Sequence, residues 1–493
     1  MGYTCVREAG SAALAAKSSL FQAHPPMFAL ARIPTRSATI SAACVLLAAG
    51  LLSAVAPVPA RGQSCLAGTA GDEFTADRAG LTREWIVQLP YLASGWRLDQ
   101  VVVGDGLVVA QTSDGTVHAI QSAPWGDAAL PAGSPRPGAL LWSQPVGSRD
   151  GVTLRAGIGP DLVAVAHERG ITGLERTTGH VRWHDTFGQS AAAGAAVIGT
   201  WVYAPTSAGS ISRFATHPLR HPLKMAAADD KGGPGKKAAK KPGRKSKANW
   251  QQKESRVPVT INDGGSGHVE NAALPLGEGV LWCTSDGLLV TLQPAELEWQ
   301  LLEFSLENPP AGSPATRANS IFAATTTGDL ARIDLPANLK ELQLVWHAVL
   351  PGPAASGPFL AGDTVVVSLG DLGIVAYSAE TGDAVWQTCL TGTILAIGGG
   401  RVWFIDERGL LSALDLADGS PRERLCLGPF TMPVVNTRSD RLLLASPSGM
   451  IACLAPRGVE GTPTPAETTA PVAANDPAAP ERGPSDPAAT PRP

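Results

Sequence analysis

The chain has 493 residues, and 39 basic against 43 acidic side chains leave a formal charge of −4, so the whole-chain field selects neither a polyanion nor a polycation partner. With 44% hydrophobic residues, 17% charged, 54 Gly and 41 Pro, it is too apolar to be wholly disordered and too rich in breakers to be largely helical. A turn-rich, all-β body is the expectation that remains.

From Ser37 to Ala60 there is no charged residue, and this apolar run follows Arg32 and Arg36 and ends in Val58-Pro59-Ala60. A basic region, an apolar region and small residues at the end are the order of an export signal, with Met27 as an alternative start and cleavage expected near Ala60. An uncleaved membrane anchor is the competing reading, since about 20 apolar residues can span a bilayer. Cys65 stands just beyond the expected cleavage point, but Gly62-Gln63-Ser64 before it makes a poor lipid-attachment box. Residues 61–82 read as a linker, and the folded body is expected over 83–456.

Within that body the chain repeats. Residues 162–187 and 365–390 each show an alternating apolar strand, a tight turn, a second alternating strand, a Thr-Gly turn and a third strand carrying Trp. Gly170, Gly179 and Trp183 recur in the same register as Gly373, Gly382 and Trp386. Alternation with a period of two lays one face of each strand on a neighbouring sheet, and glycine suits the turns because positive φ costs it little. Weaker copies bring the hairpins to eight. Third-strand anchors are expected at Trp142, Trp183, Trp250, Trp299, Trp346 and Trp386, with Leu425 in place of Trp in the seventh unit. An eighth anchor, Trp85, lies on residues 83–89 ahead of the first full unit, so an N-terminal strand is expected to complete the last blade and close an eight-bladed β-propeller.

Two stretches cannot build a core. Residues 216–249 are read as a low-complexity insertion in blade three; from Lys224 to Lys247 they hold nine Lys or Arg against two Asp. Lys236, Lys237, Lys240, Lys241, Arg244, Lys245 and Lys247 could meet a polyanion, although such a run without aromatics also reads as a solvated insertion. The last stretch, 457–493, has nine prolines among small and polar residues and is expected to be disordered.

The turn-and-Trp pattern, seen in residues 376–386 and 412–419, resembles the pyrroloquinoline-quinone-type (PQQ-like) propeller repeat. The resemblance covers roughly residues 83–456 and implies eight blades. It also implies one of two roles, because the family holds quinone-dependent alcohol dehydrogenases and non-catalytic members such as the propeller lipoprotein of the outer-membrane β-barrel assembly machinery. The dehydrogenases carry an adjacent Cys pair against the quinone and a Glu, Asn, Asp set around calcium; this chain has no Cys-Cys dipeptide, so it is similar to the non-catalytic branch and no PQQ is expected.

Other chemistry finds little support. None of the seven cysteines forms a CxxC pair. Cys389 and Cys426 occupy matching third-strand positions, and either a disulfide between them or buried free thiols is consistent with the spacing. His180 with His184 and His217 with His221 are spaced for a helix but fall on turn, strand and loop. Asp229-Asp230 lies in the basic insertion, and Asp406-Glu407 reads as turn chemistry. No Asn-x-Ser/Thr acceptor occurs, which leans towards a bacterial protein. The expected function is an exported, non-enzymatic scaffold, monomeric, that binds other proteins in the periplasm or outer envelope and has no specific nucleic-acid partner. It would touch the membrane only through a retained leader or a lipid on Cys65. A degenerate quinoprotein enzyme and an anionic-polymer binder are the alternatives.

Overall fold

The computed structural model describes residues 70–457 except 91–94, 105, 124–132, 148–152, 169, 187–189, 208–209, 218–258, 262–266 and 295–298. The leader, Trp250, the seven basic residues from Lys236 to Lys247 and positions 458–493 lie outside the described residues. Among those described no helix is long and apolar enough to cross a membrane.

Eight four-stranded antiparallel sheets follow one another along the chain as the blades of a propeller. Blade one runs from Leu98 to Pro145, blade two from Gly157 to Thr186, and blade three from Ala196 to Ile261. The pattern repeats to blade eight, whose three own strands are completed by Leu81–Gln88 paired antiparallel to Met450–Pro456. The closure expected from Trp85 is therefore made by backbone hydrogen bonds. A short helix, Glu73–Arg78, occupies part of the stretch read as linker, and Asp72 caps it through Thr75.

The second strand of a blade has both faces covered, so Leu107–Thr112 and Leu162–His167 are buried along their whole length. Eight buried apolar clusters result, one at each junction between neighbouring blades, including Trp85, Val101, Val108, Leu443 and Ile451 at the junction of blades eight and one. Outer strands are solvated except at one place. In Leu140–Pro145 and in Val181–Thr186 the buried position is the Trp.

That indole goes to the neighbouring blade. The ring of Trp142 lies over Gly179 of blade two, Trp346 over Gly382 of blade six, Trp386 over Gly419 of blade seven, and Trp85 over Gly138 of blade one. Each glycine has φ between 69° and 84°; a Cβ on Gly179, Gly382 or Gly419 would meet the indole at 2.5–2.7 Å, and one on Gly138 would meet the Trp85 Cβ at 2.8 Å. Three indoles also donate Nε1–H to a carbonyl of the receiving turn: Trp142 to Arg176 at 2.8 Å, Trp346 to Ala379 at 3.1 Å and Trp386 to Leu416 at 2.8 Å. The turn glycine thus receives the Trp of the preceding blade. Four residues on, Trp142, Trp183 and Trp386 reach into the following blade.

Other units depart from this rule. Trp183 stacks on Phe214 of blade three with ring centroids 6.1 Å apart. In blade four Trp299 opens its strand opposite Pro294 and is 38% exposed, while Leu302, opposite Thr291, takes the buried place. The Arg213 guanidinium lies 4.2 Å from the ring centroid of Trp201 and 4.8 Å from that of Trp299, so the expected core anchor is instead part of a cation–π stack. In blade seven the position four residues after the turn glycine is Glu423; Leu425, two residues further along the same face, is buried opposite Leu411. Blade three closes with Val259–Ile261, a strand that does not include Trp250.

A double-mutant cycle tests the docked indole. Gly419→Ala should cost about 1–3 kcal/mol through steric clash and positive φ, and Trp386→Ala about 3–5 kcal/mol. The double variant should lose less than the sum, since removing the ring frees space for the methyl group; additive losses in urea unfolding would show that the two do not touch.

Candidate functional site: the axial mouth

The first, inner strand of a blade lies nearest the axis; six of the eight have only two or three residues, such as Gly157–Ile158 and Phe359–Ala361, whereas Leu98–Gly104 and Gly392–Gly398 have seven. Successive ones touch, and glycine is required at several contacts: a Cβ on Gly157 would meet the Ala195 carbonyl oxygen at 2.5 Å, and one on Gly194 the Arg155 carbonyl oxygen at 2.5 Å. Between the inner strands of blades four to seven and the turn after Met432–Pro433 of blade eight lies a cavity of about 200 Å³. Its polar lining includes the hydroxyls of Ser313, Thr316, Thr393 and Thr437 and the guanidinium of Arg438.

Arg438 is held there by a buried carboxamide. Asn436 accepts from the backbone N–H of Arg438 at 3.0 Å and of Ser439 at 3.2 Å, and its Nδ2 donates to Ser439 Oγ and to the Arg441 carbonyl, both at 2.7 Å. Its own N–H donates to the Leu395 carbonyl of blade seven at 2.7 Å, so the turn is tied to the neighbouring inner strand. Arg155 of blade two is set in a similar way. The side chain of Gln111, buried in blade one, donates to the Leu154 carbonyl at 2.9 Å and accepts from Ala156 N–H at 2.9 Å, gripping the peptides on either side of Arg155.

A second cation, Arg155 of blade two, thus lies close enough to Arg438 of blade eight, with blade one between them round the ring, for their charges to interact. Burial lowers the pKa of both guanidiniums, and the charge of Arg155 pushes that of Arg438 down further. Both side chains still reach water along the mouth. Neither takes part in an ion pair among the described residues, whereas Arg441, close by in sequence, pairs with Glu84 at 3.2 Å and Asp440 at 2.8 Å. Two like charges in protein surroundings repel, and a carboxylate arriving between them would relieve that repulsion and gain charge-assisted hydrogen bonds. The arrangement can bind an acidic group.

The expected sites are not brought together. Trp85, Trp142, Trp183, Trp346 and Trp386 line blade junctions away from the axis, and Leu425 joins the junction of blades seven and eight. The residues of the mouth do not fit a calcium-bound quinone: none of the cavity's lining residues is Asp, Glu or Cys. Among the described residues no group of three His, Cys, Asp or Glu converges. Arg155 and Arg438 escaped the sequence reading because no motif surrounds them; the ring brings them together.

Comparison with known proteins agrees with this architecture. Residues 285–442 match the family model described as outer membrane protein assembly factor BamB. A relative of that name from Shewanella oneidensis is 36% identical over 76 residues, 15% of this chain; the match spans only 18% of that relative's own length. The crystal structure of BamB from Moraxella catarrhalis superposes with a TM-score of 0.50 at 17% identity over 76% of this chain and 97% of that one. The computationally designed Ika8 protein does so with a TM-score of 0.52 at 12% identity, covering 75% and 99%. At those identities the two structures show a shared fold alone.

If the arginines are held for an outside ligand, removing one should relieve repulsion. Arg438→Gln should raise Tm by about 1–2 °C at low ionic strength, and the gain should shrink as salt screens the pair. A fall in Tm in low salt would mean that the guanidinium stabilises the fold.

Proposed function

For a chain that belongs to the PQQ-like β-propeller repeat family, we propose a non-enzymatic scaffold of the bacterial cell envelope that takes an acidic segment of a partner protein into its axial mouth. The observation that carries this reading is the pair Arg155 and Arg438, each positioned by a buried carboxamide and neither in an ion pair among the described residues. The partner class follows from the likeness to outer membrane protein assembly factors. The leader-like run from Ser37 to Ala60 supports export.

A scaffold of this kind needs shape and charge more than reactivity. The ring holds the mouth rigid, so little order has to be imposed when the partner docks. Arginine suits the task because its planar fork can take a carboxylate with two parallel hydrogen bonds. The absence of acids and thiols from the cavity lining argues against the quinoprotein alternative, and the polyanion reading of Lys236 to Lys247 has no bearing on this mouth.

A photo-crosslinker placed at Thr437 in living cells should give a discrete adduct with an envelope protein. Replacing both arginines by glutamate should weaken that adduct at least about tenfold, as expected when opposite charges become like ones. An undiminished adduct, or alcohol oxidation by the purified protein with added quinone and calcium, would overturn the reading.

A further inference from the structure

Resting on the scaffold reading above, we infer that the mouth takes the C-terminal end of a polypeptide: the chain-terminal carboxylate meets Arg438, and the last side chain, an apolar one, fills the cavity beside that guanidinium.

The cavity offers two kinds of contact side by side. Phe359, Ile394 and Val435 give it apolar walls, and Pro275, Pro314 and Pro358 add ring surface without an N–H. Of the lining residues only Arg438 is charged. Val435 and Arg438 stand three residues apart in one turn, so an apolar wall and a cation lie within about 10 Å of each other. Between them, Asn436 N–H donates to the Leu395 carbonyl at 2.7 Å, which holds both beside Thr393 and Ile394 of blade seven.

The exposure of Val435 is a second observation. It is 36% exposed, whereas the other large apolar side chains left open among the described residues lie on outermost strands or, for Leu372, in a hairpin turn of blade six. Covering a valine on the wall of an axial cavity removes apolar surface from water without disturbing the ring.

Size selects the end of a chain over its middle. A dry cavity of about 150 Å³ takes up one benzene ring. The mouth, at about 200 Å³, therefore has room for one side chain with its carboxylate and none for a strand passing through. A terminal residue carries both groups on a single Cα, which matches the short spacing between Val435 and Arg438. An internal Asp or Glu brings a peptide group in on each side, and an N–H or C=O laid on the apolar wall loses its water without gaining a partner.

Charge selects the class of that last residue. An acidic one would add a charge for which the lining has no further cation, and a basic one would meet Arg438 as a like charge. The hydroxyls of Thr393 and Thr437 can donate to the carboxylate alongside the guanidinium fork, and those of Ser313 and Thr316 can accept the last peptide N–H. Arg155, outside the lining, strengthens the positive field that draws the terminus in.

Fluorescence anisotropy with the full-length protein tests this, using labelled Gly-Ser-Gly-Ser-Phe as the free acid, the same peptide as its C-terminal amide, Gly-Ser-Gly-Ser-Ser as the free acid, and amidated Gly-Ser-Glu-Ser-Gly. The Phe free acid should bind at least about tenfold more tightly than each of the others, through the charge-assisted contact and the buried side chain. Arg438→Gln should remove about tenfold from the free acid and leave the amide unchanged. Val435→Ser should weaken the Phe free acid about three- to tenfold. Both positions are open to water, so neither substitution empties the core. Octanoate, which has a carboxylate and an apolar tail but no peptide group, should displace the Phe peptide only at concentrations well above that of unlabelled peptide. Equal binding of acid and amide, unchanged affinity in Arg438→Gln, or octanoate binding as tightly as the peptide would overturn the inference. The internal glutamate peptide binding as tightly as the Phe free acid would overturn the chain end while supporting the acidic-segment reading. No binding by any peptide would overturn the inference, and the Thr437 crosslink then decides the broader reading by itself.

Discussion

A docked indole on a neighbour's glycine is the contact on which the ring depends. Four-stranded sheets stacked side by side have no reason to stop at any particular number unless each is held at a fixed angle to the next. Trp142, Trp346, Trp386 and Trp85 provide that setting, each as the buried or half-buried side chain of a mostly solvated strand, and each against a turn whose glycine cannot carry a Cβ. Because the glycine has positive φ as well as a ring above it, the turn and the dock specify one another. The last dock, Trp85 over Gly138, comes from the N-terminal strand, so closure of the backbone ladder and completion of the series are a single event.

The seam gathers unusual reinforcement. Besides the ladder between Leu81–Gln88 and Met450–Pro456, Glu84 pairs with Arg441 across it with both groups half-buried, and Arg401 donates to the Ala79 carbonyl from blade seven. Such a junction joins segments more than 350 residues apart, where the loop-closure entropy of the unfolded chain is greatest. A set of polar ties with fixed geometry compensates for the lack of sequence continuity. The apolar cluster at blades eight and one resembles those at other junctions in composition, which leaves these ties as the feature particular to the seam.

Hairpins and turns were legible in the sequence because alternation and glycine are local signals. Register was less so. Trp299 was read by residue identity, yet the buried place three residues later belongs to Leu302, since the strand in blade four pairs without the bulge that immediately precedes the docked Trp elsewhere. Leu425 was credited with a place that Glu423 holds by spacing. Inner strands left no trace at all: stretches such as Arg155-Ala156-Gly157 are too short to show a period and are selected for close approach at the axis. Matching positions left the state of Cys389 and Cys426 open; Cys389 carries a free thiol while Cys426 is in a disulfide, so the two do not pair.

The mouth follows from the same geometry that hid it. Eight blades bring together residues 283 positions apart, so a pair such as Arg155 and Arg438 has no counterpart in any single repeat. Each guanidinium needs its backbone fixed by something outside its own strand, and a carboxamide is well suited because one side chain can donate to a carbonyl and accept from an N–H at once. Gln111 does this across the junction of blades one and two; Asn436 does it within its turn while its own N–H reaches blade seven. The ring thus transfers rigidity from its junctions to its axis. With the backbone beneath both cations fixed, the repulsion between them is what a carboxylate from outside would relieve.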